Sequence, residues 1–390
     1  MIPYAKQDLD QSDIMAVVRT LQADKITQGP QIEIFERKLA QQCGARYGVS
    51  VSSGTAALHL ATLALGLGPG DKVLTTPISF LATSNAALYV GASPIFCDVN
   101  QETINIEPNE IEKHLDRNVK AIYPVHFGGL PSKMDTIHHI AKKHHLFVVE
   151  DACHALGAFY SKGNSMIPIG SCVHSDMTIF SFHPVKHVTT GEGGAITTNS
   201  KKYYKKLLSL RSHGVFRSSA LSKRMGPWYY SMNELGFNYR LTDIQAALGT
   251  SQLSKLTLFV KRRREIAAMY SDAFKGLPYV KTPFEPRGLR SSYHLYPLRI
   301  DFSKLKITRA ALMKALLAKG IGTQVHYIPI YTQPYYRRHV VSSPCPAAER
   351  YYASALSLPI YPKMKERDVK KVIRSMSAII LANTPNDKKK

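Results

Sequence analysis

Lys186 is the residue of this chain that most clearly indicates covalent chemistry. It lies in the run FSFHPVKHVTTGEGG (residues 180–194), thirty-five residues after the acidic pair Glu150-Asp151. A lysine amine can form a Schiff base with an aldehyde once desolvation or a neighbouring cation lowers its pKa. An upstream carboxylate can supply the anion that a protonated pyridine nitrogen needs. Together these residues indicate pyridoxal phosphate (PLP) as a cofactor.

A short turn after residues 47–52 suits the phosphate of such a cofactor. Ser53, Gly54 and Thr55 lead from a strand pattern into an alanine-rich helix pattern. The free amides and the positive end of the helix dipole would face an anion there, and the two hydroxyls would add donors. The same sequence is also typical of an ordinary helix cap, which is the interpretation that the turn alone favours.

Three further residues are candidates for contacts with the pyridine ring. Phe80 follows a strand pattern and the segment 75–79, where it could cover one face of the ring. Asp151 directly follows another strand pattern, where a buried carboxylate could keep the ring nitrogen protonated. His154 could then hydrogen-bond the ring hydroxyl. The alternatives are core packing for Phe80, a helix cap for Asp151 and a structural role for His154.

The pattern of apolar runs predicts an α/β core. Seven β-rich segments occur in the first half of the chain, at residues 47–52, 72–76, 94–97, 119–123, 146–150, 177–181 and 195–198. Several are continuously apolar, and those up to residue 150 are separated by helix-length segments. This pattern is expected of a mainly parallel sheet covered on both faces. A ligand should therefore lie at the carboxyl ends of these strands.

The C-terminal part of the chain predicts a smaller α/β unit. A helical pattern from residue 241 to 274, capped at Thr242-Asp243, links it to the first unit. Further segments predict strands near 293–300 and at 323–326, and helices at 308–318, from Ala347 and from Glu366; residues 217–232 predict a long irregular loop. We therefore expect a large PLP-binding domain with an N-terminal segment over residues 1–245. A linking helix and a small C-terminal domain should occupy residues 246–390.

Composition narrows the class of protein. The 390 residues are 44% hydrophobic and 20% charged, enough for a large core and two domains. No apolar run approaches the ~20 residues needed to cross a bilayer, and the start of the chain lacks an apolar signal core. A cytoplasmic protein is therefore expected. The five cysteines show no metal-ligand spacing, so we expect no metal site. Cys153 is a candidate nucleophile near Asp151, but packing is favoured.

The positive charge is unevenly distributed along the chain. The net charge is +23, and Lys and Arg number 15 against 18 Asp and Glu in residues 1–200, then 36 against 10 in the remainder. Such a bias could attract nucleic acid, anionic lipid or a diphosphate-bearing metabolite. A solvated surface without a partner is favoured for most of these residues, including the tail Lys388-Lys389-Lys390. We expect no membrane partner and no specific nucleic acid.

The order and spacing of the cofactor motifs resemble those of the fold-type I, aspartate-aminotransferase-like PLP enzymes. Within them the chain resembles the nucleotide-sugar aminotransferases of the DegT/DnrJ/EryC1/StrS family. The resemblance covers nearly the whole chain, from TQGP (27–30) through RSHG (211–214) and GFNYRL (236–241) to VHY (325–327). It implies an α/β fold with a mainly parallel large-domain sheet and a smaller C-terminal α/β domain.

The same resemblance implies roles for individual residues. Lys186 would form the Schiff base and transfer protons, and Asp151 would pair with the pyridine nitrogen. The implied cofactor contacts are Ser53, Gly54, Thr55, Phe80, Asp151, His154, Ser181, Lys186 and Asn238 of the partner subunit. The implied contacts of the sugar nucleotide are Tyr4, Lys25, Thr27, His326 and Tyr327, with loop packing as the alternative. A homodimer with a shared active site follows, in which one subunit alone is inactive.

The substrate class also rests on the resemblance. The stretches TTPISF (75–80), SFHPVKHVTTGEGG (181–194) and QVHYIPIY (324–331) most resemble the pseudaminic-acid branch. Those enzymes use L-glutamate to aminate C4 of a UDP-linked 4-keto-6-deoxy-N-acetylhexosamine. Lysine at position 186 favours transamination, since dehydratases of the family carry histidine there. Two alternatives remain: amination of another nucleotide sugar, of the perosamine or bacillosamine type, and a non-enzymic binder of nucleic acid or anionic surfaces through the basic C-terminal half.

Overall fold

The seven strands predicted in the first half of the chain all join one sheet in the computed structural model, which describes residues 1–385. The strands, numbered along the chain, are β1 Tyr47–Val51, β2 Lys72–Thr75, β3 Ser93–Phe96, β4 Val119–Tyr123, β5 Phe147–Asp151, β6 Phe159–Lys162, β7 Ser165–Pro168, β8 Met177–Ser181, β9 Gly194–Thr198, β10 Val215–Phe216, β11 Ser231–Met232, β12 Val280–Lys281, β13 Leu289–Arg290, β14 Tyr296–Ile300 and β15 Ala355–Leu358. The order in the large sheet is β1-β9-β8-β5-β4-β2-β3.

Strand β9 alone reverses the direction of this sheet. It pairs antiparallel with β1 and with β8, whereas the pairs from β8 through β5, β4 and β2 to β3 are all parallel. Strand β1 therefore points the same way as the parallel set. The predicted, mainly parallel sheet is confirmed, and the residues that follow β1, β2, β5 and β8 emerge at one edge, where α/β folds bind their ligands.

Helices cover the sheet and build the rest of the chain. They are α1 Gln11–Leu21, α2 Pro30–Cys43, α3 Gly54–Ala64, α4 Ala82–Tyr89, α5 Pro108–Lys113, α6 Met134–Lys143, α7 Lys201–Leu210, α8 Ser219–Met225, α9 Asp243–Leu253, α10 Leu256–Phe274, α11 Arg309–Ala318, α12 Pro334–His339, α13 Pro346–Ser354 and α14 Glu366–Ala382. Thr242 caps α9 in a capping box with Gln245, as its sequence suggested, and Thr308 caps α11. Among residues 1–385, no helix is both long and apolar enough to cross a membrane.

Two predicted elements of the second half differ in the structure, and one strand was not predicted. The helical pattern over 241–274 forms two helices, α9 and α10, because the chain leaves the helix at Ser254-Lys255. The predicted strand at 323–326 is wrong: only Gln324 makes an isolated bridge, to Ser357. The strand that pairs with β14 is instead β15, which the sequence did not reveal because its apolar residues continue the pattern of α13.

The predicted loop over 217–232 is partly regular. Helix α8 lies inside it, and β11 at its end pairs antiparallel with β10, so the segment closes as a small hairpin-like extension. Apolar side chains on this extension are exposed, among them Trp228 at 74% and Met232 at 62%. The basic tail at 388–390 lies outside the described residues.

Five hydrophobic clusters form the core of residues 1–385, and the two largest lie around the two main sheets. One surrounds the parallel sheet and includes Val49, Tyr123 and Ile179. Another is built from β14, β15, α10, α11 and α14, and it also takes in Ile2 from the start of the chain. Ile2 is tied there by backbone hydrogen bonds to residues 320 and 322. The division at residues 245 and 246 stays a prediction.

Candidate active site

A cavity of about 430 Å³ lies at the sheet edge where β1, β2, β5 and β8 end. The predicted site residues that line it are Tyr4, Ser53, Gly54, Thr55, Phe80, Asp151, His154, Ser181, Lys186, His326 and Tyr327. The fold thus brings together residues from both halves of the sequence. Lys25, Thr27 and Asn238 are not among the lining residues of this single chain, and all three are exposed.

Lys186 is held in the cavity by the turn that follows β8. Its backbone amide donates to the carbonyl of His183 at 2.9 Å, and the amide of Thr190 donates back to the carbonyl of Phe182 at 3.0 Å. Although part of the Lys186 side chain faces the cavity, burial lowers the pKa of its amine, and the neighbouring Cys153 and Asp151 oppose that shift. A larger fraction of neutral amine, and hence of nucleophile, follows.

Asp151 is fixed by two donors at the end of β5. The Thr83 hydroxyl donates to Oδ2 at 2.6 Å, and the amide of Cys153 donates to Oδ1 at 3.1 Å. The carboxylate is 5% exposed, and no helix of the described chain begins directly after it, so it does not act as the helix cap that was its alternative. Thr83 was missed from the sequence; its place in α4, three residues after Phe80, was the available signal.

Cys153 lines the same cavity as Lys186. Burial and the adjacent Asp151 raise the pKa of its thiol well above the ordinary value. The protonated thiol that results is a poor nucleophile. The structure therefore favours packing for Cys153.

Two glycines at the turn after β1 leave little room for a side chain. A Cβ added to Gly54 would lie 3.0 Å from the Cβ of Ser181, and one added to Gly194 would lie 2.4 Å from the carbonyl oxygen of Ser53. The Ser53 hydroxyl accepts a hydrogen bond from the amide of Ala56 at 3.1 Å, so it does cap α3. Capping uses the oxygen only and leaves the hydroxyl proton for an anion at the helix N-terminus.

His154 lies in a group of buried aromatic side chains. Its Nε2 is 3.1 Å from the Tyr327 hydroxyl, and its ring lies 4.5 Å, centroid to centroid, from that of His294. Burial lowers the pKa of both imidazoles well below the ordinary value, so both rings stay neutral. The Nδ1 atoms of His154 and His294 are buried without a partner among the described residues. His294 was missed because it comes from a segment remote in sequence.

The opposite wall of the cavity comes from the second half of the chain. His326 Nδ1 lies 2.9 Å from the Ser357 hydroxyl, and burial lowers the pKa of its imidazole to about 3. Its ring is 5.6 Å from that of Tyr4, which reaches the cavity from the N-terminus. Phe80 is 59% exposed, which excludes core packing, and it lines the cavity.

These groups fit a phosphorylated pyridine aldehyde. A partly neutral amine can bind the aldehyde carbon, and an anchored carboxylate can pair with the ring nitrogen. A tight glycine turn at a helix N-terminus suits a phosphate, and the orphaned Nδ1 of His154 can satisfy a ring oxygen. The residues present therefore fit PLP.

Proteins of known name are similar to this chain over nearly their full length. The UDP-4-amino-4,6-dideoxy-N-acetyl-beta-L-altrosamine transaminase of Campylobacter jejuni serotype O:23/36 is 39% identical over 383 residues, which cover 97% of this chain and 98% of the relative. The spore coat polysaccharide biosynthesis protein SpsC of Bacillus subtilis is 40% identical over 385 residues, 97% of each chain.

A solved structure has the same fold. Helicobacter pylori PseC, an aminotransferase involved in the biosynthesis of pseudoaminic acid, is 30% identical and superposes with a TM-score of 0.90. The superposition covers 98% of this chain and 99% of PseC, which confirms the predicted fold class. The model of the DegT/DnrJ/EryC1/StrS aminotransferase family matches residues 7–377. This chain therefore belongs to the DegT/DnrJ/EryC1/StrS family and is a PLP-dependent sugar aminotransferase.

Proposed function

We propose that the protein transfers the amino group of L-glutamate to C4 of UDP-2-acetamido-2,6-dideoxy-β-L-arabino-hex-4-ulose. The product would be UDP-4-amino-4,6-dideoxy-N-acetyl-β-L-altrosamine, for pseudaminic acid biosynthesis. The observation that carries the aminotransfer is the cavity in which Lys186, Asp151 and the Ser53-Gly54-Thr55 turn meet. Similarity to the Campylobacter transaminase and to PseC supports the choice of sugar.

The proposed chemistry centres on Lys186 and Asp151. When bound, PLP supplies a carbon that accepts amines and a ring that delocalises negative charge. Lys186 would hold the cofactor and then move a proton between the substrate carbon and the cofactor, which a lowered amine pKa favours near neutral pH. Asp151 would pair with the ring nitrogen, and Thr83 would keep that carboxylate in place. L-glutamate and the keto sugar would react in turn, in two half-reactions.

The remaining cofactor contacts would come from the glycine turn and a second subunit. We assign the phosphate to Ser53, Gly54, Thr55, Ser181 and Asn238 of the partner subunit, and the ring to Phe80 and His154. On this chain Asn238 is exposed, and an isolated bridge to Ser212 holds its backbone. An exposed amide on a braced backbone suits a contact with another copy. A homodimer located in the cytoplasm completes the proposal.

The sugar nucleotide would lie against the wall opposite the glycine turn. Tyr4, His326 and Tyr327 line that side of the cavity. We assign Lys25 and Thr27 to the part of the ligand outside the cavity. Their segment is anchored close by, because the buried carboxylate of Asp243 accepts the amide of Gly29 at 2.7 Å.

Product analysis tests the choice of substrate. The purified, PLP-loaded protein is incubated with L-glutamate and a panel of UDP-, dTDP- and GDP-linked 4-keto sugars, and each product is identified by mass and by the configuration at C4. The 4-amino-altrosamine product from the UDP-linked β-L-arabino ketose is expected at the highest kcat/KM. A higher kcat/KM for a perosamine- or bacillosamine-type precursor would reassign the substrate and leave the aminotransferase intact.

Replacement of Lys186 tests the chemistry itself. Lys186→Ala should fold with an unchanged melting temperature but lose both turnover and the visible absorbance of the lysine-bound cofactor, because no other amine is assigned that role. The matched control is Lys201→Ala, an exposed lysine on α7, which should retain both. Wild-type turnover by Lys186→Ala would reject the assignment.

A further inference from the structure

Helices α11 and α14 form one continuous outer surface of the C-terminal unit. They run side by side in opposite directions: the amide of Lys306, just before α11, donates to the carbonyl of Asn383 at 2.8 Å, after the end of α14. At the other end, Lys371 of α14 reaches within 3.8 Å of the Cβ position of Gly320. The solvent sides of the two helices therefore share a single face.

This face carries a cluster of cations. Its basic residues are Lys314, Lys319, Arg367, Lys370, Lys371 and Arg374, all exposed, and we call this set the basic face. Lys370 pairs with Glu366 at 2.6 Å, and Arg367 approaches Asp368 at 3.9 Å. The other four make no ion pair with any residue between 1 and 385. The face thus holds a surplus of positive charge.

Apart from the contacts of Lys370 and Arg367 with acidic neighbours, the packing of the fold does not use this charge. The buried side of α14 is apolar, with Val369, Val372 and Met376 in the core, so the basic residues are not needed for packing. Arg367 and Lys371 repel each other at a spacing of i,i+4, as do Lys370 and Arg374, and Arg367 also stands at the positive end of the helix dipole. An anion bound from outside would reduce all of these repulsions.

The uncharged residues of the face distinguish between anionic partners. Apart from Glu366, every exposed residue of α11 and α14 is lysine, arginine, alanine or leucine. Leu317 and Leu381 are each 57% exposed. The helices therefore expose neither aromatic rings on which bases could stack nor amides that could read base edges. Cations mixed with aliphatic side chains suit the boundary between lipid headgroups and acyl chains.

We propose that the basic face docks the enzyme on an anionic lipid bilayer. The contact is peripheral, so it is compatible with the lack of a membrane-spanning helix in the described chain. It departs from the expectation of no membrane partner, which the sequence could not refine because the charges become one face only when α11 and α14 lie side by side. The free energy with which a lysine-rich face binds an anionic bilayer increases with the number of its cations, and salt releases such a face from the bilayer.

Vesicle co-sedimentation of the PLP-loaded protein tests the docking. Vesicles of phosphatidylcholine with about 30 mol% phosphatidylglycerol should bind the wild type at low salt, and pure phosphatidylcholine vesicles should not. The variant Lys314→Glu, Lys371→Glu, Arg374→Glu should bind roughly tenfold or more weakly. The matched control, Lys201→Glu, Lys202→Glu, Lys205→Glu on α7, has the same change in net charge and should bind as the wild type.

Three results would overturn the proposal. The first is a wild type that is not retained on anionic vesicles. The second is an equal loss of binding by both triple variants, which would indicate net charge alone. The third is a short DNA duplex that binds more tightly than the vesicles through the same three residues. Turnover and melting temperature verify folding, since none of these residues touches the cavity. If the glutamate variant does not fold, the corresponding triple glutamine variant should still weaken binding severalfold, and unchanged binding would reject the docking.

Discussion

The carboxylate of Asp151 is positioned by protein donors alone. Thr83 supplies one of them, at 2.6 Å, and the hydroxyl of Ser79 lies 2.8 Å from that of Thr83. All three side chains are buried. A carboxylate fixed by a short chain of hydroxyls cannot swing away when a ring nitrogen binds or leaves. We therefore propose that Thr83 acts through Asp151, as a positioning residue.

Replacing Thr83 by valine should weaken cofactor binding with little change of shape. A hydrogen bond to a charged group is worth about 1.5–3 kcal/mol, so the Kd for PLP should rise roughly tenfold to a hundredfold. Titration of the apoenzyme with PLP, followed by absorbance, measures the change. Thr83→Ser keeps the hydroxyl and should bind PLP within about threefold of wild type. Equal affinity of the valine and wild-type proteins would contradict the role.

Sequence singled out the cavity-lining residues that lie in local motifs and missed those that contact them from distant parts of the chain. Lys186, Asp151 and the Ser53 turn each stand beside their own strand, where composition and order are informative. Thr83 and His294 are recognisable only from the side chains against which they pack. His294 reaches His154 across 140 residues of sequence. No periodicity predicts such a contact.

The buried imidazoles should make the apoenzyme sensitive to mild acid. Burial holds the pKa of His154, His187 and His294 well below the ordinary value and lowers that of His326 to about 3. In the unfolded chain the pKa of each of these groups is about 6.5. Below that pH the unfolded state therefore binds protons that the folded state does not. The free energy of unfolding is fully retained above pH ~6.5 and should fall by up to about 1.4 kcal/mol per pH unit for each group below it.

Denaturant midpoints at pH 7.5 and 5.5 measure this loss. His294→Gln removes one of these four groups and should reduce the difference between the two pH values. His139→Gln, at an exposed position on α6, should leave it unchanged. Identical midpoints of the wild type at both pH values would show that the imidazoles do not stay neutral in the folded state.

At the scale of elements, the glycine turn depends on the strand beside it. Strand β9 begins at Gly194, which pairs with Val51 at the end of β1. A side chain at Gly194 would meet the backbone of Ser53 and Gly54 at 2.4 to 2.6 Å. Backbone atoms cannot rotate away as a flexible side chain can, so the turn itself would have to move.

Gly194→Ala should therefore impair the turn and the core together. Overpacking of this kind costs about 1–3 kcal/mol, and displaced amides should weaken the affinity for inorganic phosphate as well as for PLP. Thermal unfolding and phosphate titration of the apoenzyme measure the two effects. The control is Gly68→Ala, whose Cβ would meet only the Val90 carbonyl, at 3.9 Å. A stable Gly194→Ala protein with normal phosphate affinity would show that the turn tolerates the strain.

Strands that are buried in the large sheet were predicted correctly, whereas strands defined mainly by their pairing partner were not. The seven strands of the large sheet are short apolar runs between polar turns, and each was found within one or two residues. Strand β15 was missed because Ala355, Leu356 and Leu358 follow α13 without a break. Segment 323–326 reads as a strand in isolation, yet only Gln324 finds a ladder partner. Strand pairing is a tertiary property that short patterns do not contain.

At the scale of the molecule, the active site depends on both ends of the chain. Tyr4 enters the cavity only because Ile2 is buried in the core formed by β14, β15 and the C-terminal helices. The family resemblance assigned Tyr4 to the site, but nothing in the sequence indicated that Ile2 would be buried in that core. The exposed apolar side chains between β10 and β11, together with the exposed Asn238 nearby in sequence, agree with the predicted second subunit.

Mixed dimers test whether Asn238 acts in the other subunit. Lys186→Ala and Asn238→Ala each impair both sites of their own homodimer. If Asn238 serves the partner's site, a mixed dimer contains one site with both wild-type residues and one with neither. Random mixing of equal amounts makes half of the dimers mixed, so turnover should recover to about a quarter of the wild-type value. If Asn238 served its own subunit, mixing would restore nothing. When the two variants carry different affinity tags, capture on one tag retains the other tag only in mixed dimers and so measures how completely the subunits exchange. Recovery near a quarter is expected only when that exchange is complete.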